Sequence, residues 1–260
     1  MKKQILIFTL IATTVASTSC SKIAINSENG VGTVTLNLEI NESTKAAMSE
    51  DELLANSIIN IYKGDFSALV RTYKYSRIPT TIYLPADAYS VEVLAGEISK
   101  ETPAIASWDQ KSYIGSSKFT VTAGTTQSVE VVANIVNAVS KVTFDASISE
   151  NFNEGYTFDI GVDESDATQR LAYTADKSGN EGYFIVPDAN PCLFWKFSGI
   201  LTKDGGPFQS SGKIENIEKG KLYKLAPKYI VHEGDLSFTL SVDRDTENFE
   251  DIIFYEPDSD

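Results

Sequence analysis

Residues 32–40, GTVTLNLEI, set Val34, Leu36, Leu38 and Ile40 on one side of an alternation and Thr33, Thr35, Asn37 and Glu39 on the other. Period two turns one face of an extended strand toward a core and the other toward water. The pattern then repeats. SIINIYK, ALVRTYKY, TTIYLP and AYSVEVLAG follow at roughly ten-residue spacing, and SKFTVTAGTTQSVEVVANI reads as a hairpin around Ala123-Gly124. After NIVNAVSK a second series opens with SKVTFDA, YTFDIGVD, RLAYTA, GYFIVP, CLFWKFSGIL, GKIENIE, KLYKLAP and LSFTLSVD, and closes with DIIFYE as a strand or tail. Regular short strands punctuated by Gly, Pro and Asn specify β-sandwiches. We therefore expect an all-β protein with two tandem β-sandwich domains, residues 31–136 and 137–246, and a C-terminal strand or tail over 247–260. One helix is expected, in MSEDELLAN, where Ser49 and Glu52 form a capping box and acids fill the first turn.

The N-terminus reads Met1, Lys2, Lys3, then a short apolar run and small residues up to Cys20. Positive charge, apolar run and small residues before a cut site make a secretory signal, residues 1–19. The run is shorter than the ~20 residues that a spanning helix requires. Two roles are open to Cys20. Either an ordinary peptidase cuts nearby and the cysteine is incidental, or STSC is a lipobox and Cys20 becomes the acylated first residue of a tether, residues 20–30. Ser17 stands where a lipobox usually has Leu or Val. Each buried CH2 of an acyl chain contributes ~0.8 kcal/mol, so several chains on one cysteine form a durable membrane anchor.

Loss of residues 1–19 removes Lys2 and Lys3 and no acid, taking the formal charge from −14 to −16. Nucleic acid and anionic membrane select for Lys and Arg, so neither is an expected partner. Cys192 then has no intrachain partner and is read, in NPCLFWKF, as a small core residue.

No residue cluster announces a reaction, and no catalytic residue is expected. His232, in YIVHEGD, is the single histidine and is read as a surface loop residue. The chain lacks the His/Cys ligands of a zinc site and any Gly-rich phosphate loop, so neither metal nor cofactor is expected. DESD (163–166) and DKSGNE (176–181) carry oxygen ligands without the spacing of a calcium loop, and are read as turns. Trp195 lies in an apolar strand and is read as core. Trp108, in the loop AIASWDQKSY, and Tyr113 beside it are candidate ligand contacts, with packing as the alternative for Trp108.

Three stretches together are similar to a known group: GTVTLNLEINESTKA, VRTYKYSRIPTTIYLPADAYSVEVLAGE and YIGSSKFTVTAGTTQSVEVVANIVNAVSKVTF. Over roughly residues 20–250 the chain resembles a domain-of-unknown-function family of Bacteroidetes lipoproteins related to fimbrillins. Where such sandwiches usually read LPAGxY, this chain has Asp87 in place of the glycine. The resemblance implies two transthyretin-like sandwiches after a lipoprotein signal peptide, and an outer-membrane, lipid-anchored location at the cell surface. It implies a non-enzymatic fimbrial or adhesive subunit, with other fimbrial subunits or a host or bacterial surface ligand as partner. It also implies assembly by strand complementation. A protease cuts after a basic residue that follows the first strand, the strand leaves, and a strand of another subunit fills the groove. The matching parts are GTVTLNLEI as leaving strand and Lys45–Ala46 as the cut, with an ordinary loop lysine as the alternative for Lys45. A glycan-binding outer-membrane lipoprotein using Trp108 and Tyr113 is the alternative function.

Overall fold

The computed structural model describes residues 30–41, 50–230, 235–243 and 253–254. The chain forms β1 (Val31–Ile40), a short helix α1 (Glu50–Asn56), β2 (Ile58–Lys63), β3 (Ala68–Lys74), β4 (Ile82–Pro85), β5 (Asp87–Gly96), β6 (Ala106–Ser107), β7 (Ser112–Val121) and β8 (Thr126–Ile135). It continues through β9 (Ala138–Val142), α2 (Ala146–Asn151), β10 (Thr157–Gly161), β11 (Arg170–Tyr173), β12 (Glu181–Phe184), β13 (Cys192–Ile200), β14 (Pro207–Glu215), β15 (Leu222–Ile230), β16 (Asp235–Asp243) and β17 (Ile253–Phe254). The protein is all-β, as the alternation requires.

One strand order occurs twice. In the first half β3-β2-β5-β7 are antiparallel neighbours, while β1 lies between β4, antiparallel, and β8, parallel. In the second half β11-β10-β13-β14 repeat the four-stranded sheet, and β9 lies between β12, antiparallel, and β15, parallel. Each half closes over its own apolar interior, one around Val34, Ile59, Ile61, Leu84 and Val91, the other around Phe158, Phe184, Trp195, Phe197 and Ile214. A smaller cluster of Ile40, Leu53, Ala95, Tyr113 and Ala133 seats α1 on the first half.

The expected hairpin at Ala123-Gly124 exists as a turn but not as a ladder. β7 and β8 pair only at Tyr113–Ile135 and Ile114–Asn134, and β8 instead runs beside β1 along Thr126–Ala133. The two strands diverge into opposite layers of the sandwich. Gly115 allows their crossing, because a Cβ there would lie 2.6 Å from the carbonyl oxygen of Val132. A second helix, α2, was not foreseen. It starts on Asp145, whose side chain accepts the backbone N–H of Ser147 at 3.0 Å.

The halves are joined tightly. The buried Asn137 side chain accepts the N–H of Ser112 at 2.6 Å, and its carbonyl accepts the N–H of Gly220 at 2.8 Å. Between β5 and β7 the chain leaves the first half, and β6 pairs with β12 of the second. Gly96 starts this excursion at φ 71°, where a Cβ would lie 2.2 Å from the carbonyl oxygen of Lys111. At the opposite end of the same sheet, β16 pairs with β15 from Leu222–Asp243 to Ile230–Asp235.

Candidate functional site: the first strand and its surroundings

β1 is the middle strand of its sheet. It pairs with β4 from Val31–Pro85 to Val34–Ile82 and with β8 from Thr33–Thr126 to Ile40–Ala133. Its inward residues match the alternation. Val34 is 0% exposed and Ile40 is 4% exposed, while Leu36 and Leu38 pack half-buried on the same core as Val34. Full burial of such a side chain contributes about 1.5–3 kcal/mol. The outward face, with Asn41 just after it, makes polar side-chain contacts to β8. The hydroxyls of Thr33 and Thr126 lie 2.7 Å apart, Asn37 donates to Ser128 at 3.1 Å, and Asn41 donates to Asn134 at 3.0 Å. Neighbouring strands run about 4.8 Å apart, so removing β1 would part β4 from β8 by about 10 Å, the width of one missing strand.

The turn that leads from β4 into β5 needs no glycine. Asp87 accepts the N–H of Ala88 at 2.8 Å and pairs with Lys63 at 2.7 Å, and the Tyr89 hydroxyl donates to the carbonyl of Pro85 at 3.0 Å. The hydrogen bond from Lys63, then that from Ala88, holds the Asp87 carboxyl below the usual carboxylate range. The non-glycine residues with positive φ among those described are Phe66, Asn190 and Asn216, so Asp87 is unstrained.

Lys45, Ala46 and Ser49, on the connection from β1 to α1, lie outside the described residues, as do Cys20 and His232. Trp108 and Tyr113 are described, and the structure does not bring them together as a ligand surface. Tyr113 is 1% exposed and fills the cluster under α1, so the assignment of its ring to a ligand is corrected. β7 begins at Ser112, five residues before the expected strand SKFTV at Ser117, so Tyr113 belongs to the sheet and not to the loop. Trp108 is half-buried and packs edge-on against Tyr173 with centroids 4.7 Å apart, and Lys177 Nζ lies 5.7 Å from its ring centre. Its place is in the contact between β6 and the second half, the packing alternative.

Trp195 is core, 5% exposed and stacked on Phe158 at 5.5 Å. Cys192 is not: the alternation of β13 buries Leu193, Trp195 and Phe197 and turns Cys192 outward, half-exposed. Burial nonetheless pushes its thiol pKa up. In the acidic stretches the carboxylates close turns. Asp163 accepts both the N–H and the hydroxyl of Ser165, and Asp166 does the same for Thr168.

What the sequence reading missed is the outer face of the second half's four-stranded sheet. A cavity of about 670 Å³ opens there, lined by Asp159, Arg170, Phe194, Lys196, Gln209 and Ser211 among others. The signal was present as the polar positions of β10, β13 and β14, but strand pairing was needed to align them.

The family described as "Domain of unknown function (DUF4493)" matches residues 30–254. No curated protein gives a significant sequence match. Among solved structures, the chain is similar to a fimbrial assembly protein from Parabacteroides distasonis, with 13% identity over 88% of this chain and 98% of the other and a TM-score of 0.49. It is similar to a candidate cell adhesion protein from Bacteroides eggerthii, with 11% identity, 84% and 96% coverage and a TM-score of 0.49. It is also similar to candidate polysaccharide-binding proteins from Bacteroides thetaiotaomicron, with 9% identity, 84% and 99% coverage and a TM-score of 0.43.

Proposed function

We propose that this chain, which belongs to the DUF4493 family of domains of unknown function, is a non-enzymatic fimbrial or adhesive subunit of the cell envelope. In this reading acyl chains on Cys20 hold it at the outer membrane, facing the cell surface. Its partners are other subunits or a surface ligand, and subunits join by strand complementation.

The observation that carries the proposal is the position of β1. The strand is flanked on both sides by its own half, and sequence joins it to α1 through residues 41–49, which contain Lys45–Ala46. A cut there leaves β1 held by ladder hydrogen bonds, by the side-chain hydrogen bonds of Thr33 and Asn37, and by Val34, Leu36, Leu38 and Ile40. An incoming strand of the same alternation can replace all of these contacts, because backbone pairing supplies affinity and alternate side chains supply fit.

The test is limited digestion of the purified protein with a trypsin-like protease, followed by sizing and intact mass. Assemblies whose subunits begin at Ala46 support the proposal. Cleavage at Lys45 that leaves only monomers, with no partner strand taken up, overturns strand complementation. Intact mass of the protein from cells separates the two starts: acylated Cys20 marks an anchored protein, Ala46 a processed subunit.

A further inference from the structure

The second half carries a built surface that strand exchange does not use. On the outer face of β11-β10-β13-β14, Asp159 stands opposite Lys196, and Lys196 opposite Ser211. One row along, Gly161 stands opposite both Arg170 and Phe194. A Cβ on Gly161 would come 2.5 Å from Cγ of Arg170, so the glycine leaves room for the Arg170 stem. The Arg170 guanidinium in turn donates to the carbonyl of Glu164, which fixes its head at the rim. These side chains line the cavity of about 670 Å³. A second cavity of about 230 Å³ shares Gln209 and continues along Thr157, Ser198, Ile200 and Pro207. From Phe194 to Ile200 the two follow β13 for about 20 Å at ~3.3 Å per residue.

We infer that this groove binds a neutral oligosaccharide. Charge excludes the simpler ligands. Asp159 and Glu164 face an anion, Arg170 and Lys196 face a cation, and the four together balance. A sugar hydroxyl donates and accepts at once, so it satisfies a carboxylate and an ammonium placed side by side, as well as Gln209 and Ser211. Phe194 supplies an apolar ring for the C–H face of a pyranose, the mix of one aromatic wall and few polar groups that small-molecule sites use. An extended peptide is the weaker fit, because peptides add to sheet edges through backbone bonds, and here the floor is a sheet face paired within itself. Asp159 is withdrawn from bulk water, and burial raises its pKa despite the opposing pull of Arg170 and Lys196. The groove's length suits several sugar units in a row.

The inference does not rest on strand exchange, and its test is separate. The full chain is titrated calorimetrically with cellohexaose, mannohexaose and xylohexaose, with hexagalacturonate as an acidic probe and an extended uncharged decapeptide as a peptide probe. The same titrations use Phe194→Ala, Lys196→Ala, Ser211→Ala and, as a distant control, Thr35→Ala, each checked for folding by thermal melting. The expected result is binding of at least one neutral hexasaccharide, weakened about tenfold or more by the groove variants and unchanged by Thr35→Ala. If Phe194→Ala fails to fold, Lys196→Ala and Ser211→Ala decide. The inference is overturned if no neutral hexasaccharide binds at millimolar concentration, if the groove variants bind as well as the parent, or if hexagalacturonate or the peptide binds at least as tightly.

Discussion

β1 and β9 occupy the same slot in two copies of one strand order, yet the chain holds them differently. Each is the middle strand of its sheet, with a parallel neighbour on one side and an antiparallel neighbour on the other. β9 follows β8 after two residues and leads into α2, so a cut after it leaves it tethered to β8. It is also the more buried, with Ala138, Val139, Ser140 and Val142 all inside. β1 buries three of its ten residues, Gly32, Val34 and Ile40, and alternates to exposed Asn37 and Glu39. The flanks differ too. β15 is covered along its length by β16, while the matching edge of β8 meets β7 at one corner. In the proposed exchange, topology alone would not make a strand replaceable; where the covalent chain enters and how much side-chain burial holds the strand would decide.

Several substitutions can break or sharpen this contrast. The largest expected effect is in the second half: Phe197→Ala removes a ring packed against Phe152 at 4.9 Å and costs about 3–5 kcal/mol in chemical denaturation. Exchange of β1 amide hydrogens through local opening should stay unchanged in that variant, because the two interiors are separate. Loss of β1 protection would show that the halves share one core.

Next, Asn137→Ala leaves the buried N–H of Ser112 without its acceptor and costs about 1–3 kcal/mol. It should loosen the joint, so that denaturation probed in each half no longer coincides. Coincident transitions would mean that β6 and Trp108, not Asn137, couple the halves.

A smaller effect is expected at α2, where Asp145→Ala removes the cap and costs about 0.5–2 kcal/mol. Hydrogen bonds from the Ser147 backbone and hydroxyl lower the pKa of Asp145. Its stabilising share is thus present above the unfolded value of ~3.9 and lost as pH falls through the lower folded value. Asp159 has the opposite sign. Its folded pKa is raised, so its ionised form is disfavoured, and its share of stability improves as pH falls through that raised value and levels off below ~3.9. The smallest change is therefore at Asp159→Asn, which should leave stability at neutral pH level or slightly higher and remove this gain on mild acidification. Acid titrations followed by tryptophan fluorescence check both signs.

Much of the fold was legible because alternation is a local signal. GTVTLNLEI, AYSVEVLAG and CLFWKFSGIL became β1, β5 and β13, with Val34, Ile40 and Trp195 inside as expected. The glycine missing at Asp87 proved harmless, because the turn uses ordinary φ values and a side-chain acceptor instead. What could not be read was pairing. SKFTVTAGTTQSVEVVANI has every mark of a hairpin, and nothing local shows that β8 leaves β7 for β1, some ninety residues earlier in the chain. Tyr113 and Cys192 were misplaced at strand starts: the strand begins five residues before SKFTV and takes Tyr113 inside, and at the first residue of β13 the alternation turns Cys192 outward. The groove around Asp159 and Lys196 draws its residues from four strands, so it exists only once the sheet is assembled.

The central claim is that β1 exchanges and β9 does not. A single specific cleavage site is placed at residues 45–46 in one variant and at residues 144–145, after β9, in another. Each protein is cut and incubated with a labelled peptide of sequence GTVTLNLEI or AVSKVTF, matching the strand just freed, and uptake is followed by native mass spectrometry. The account predicts that the peptide displaces β1 in the first variant and leaves the second unlabelled. No uptake by the first variant, or equal uptake by both, would contradict it.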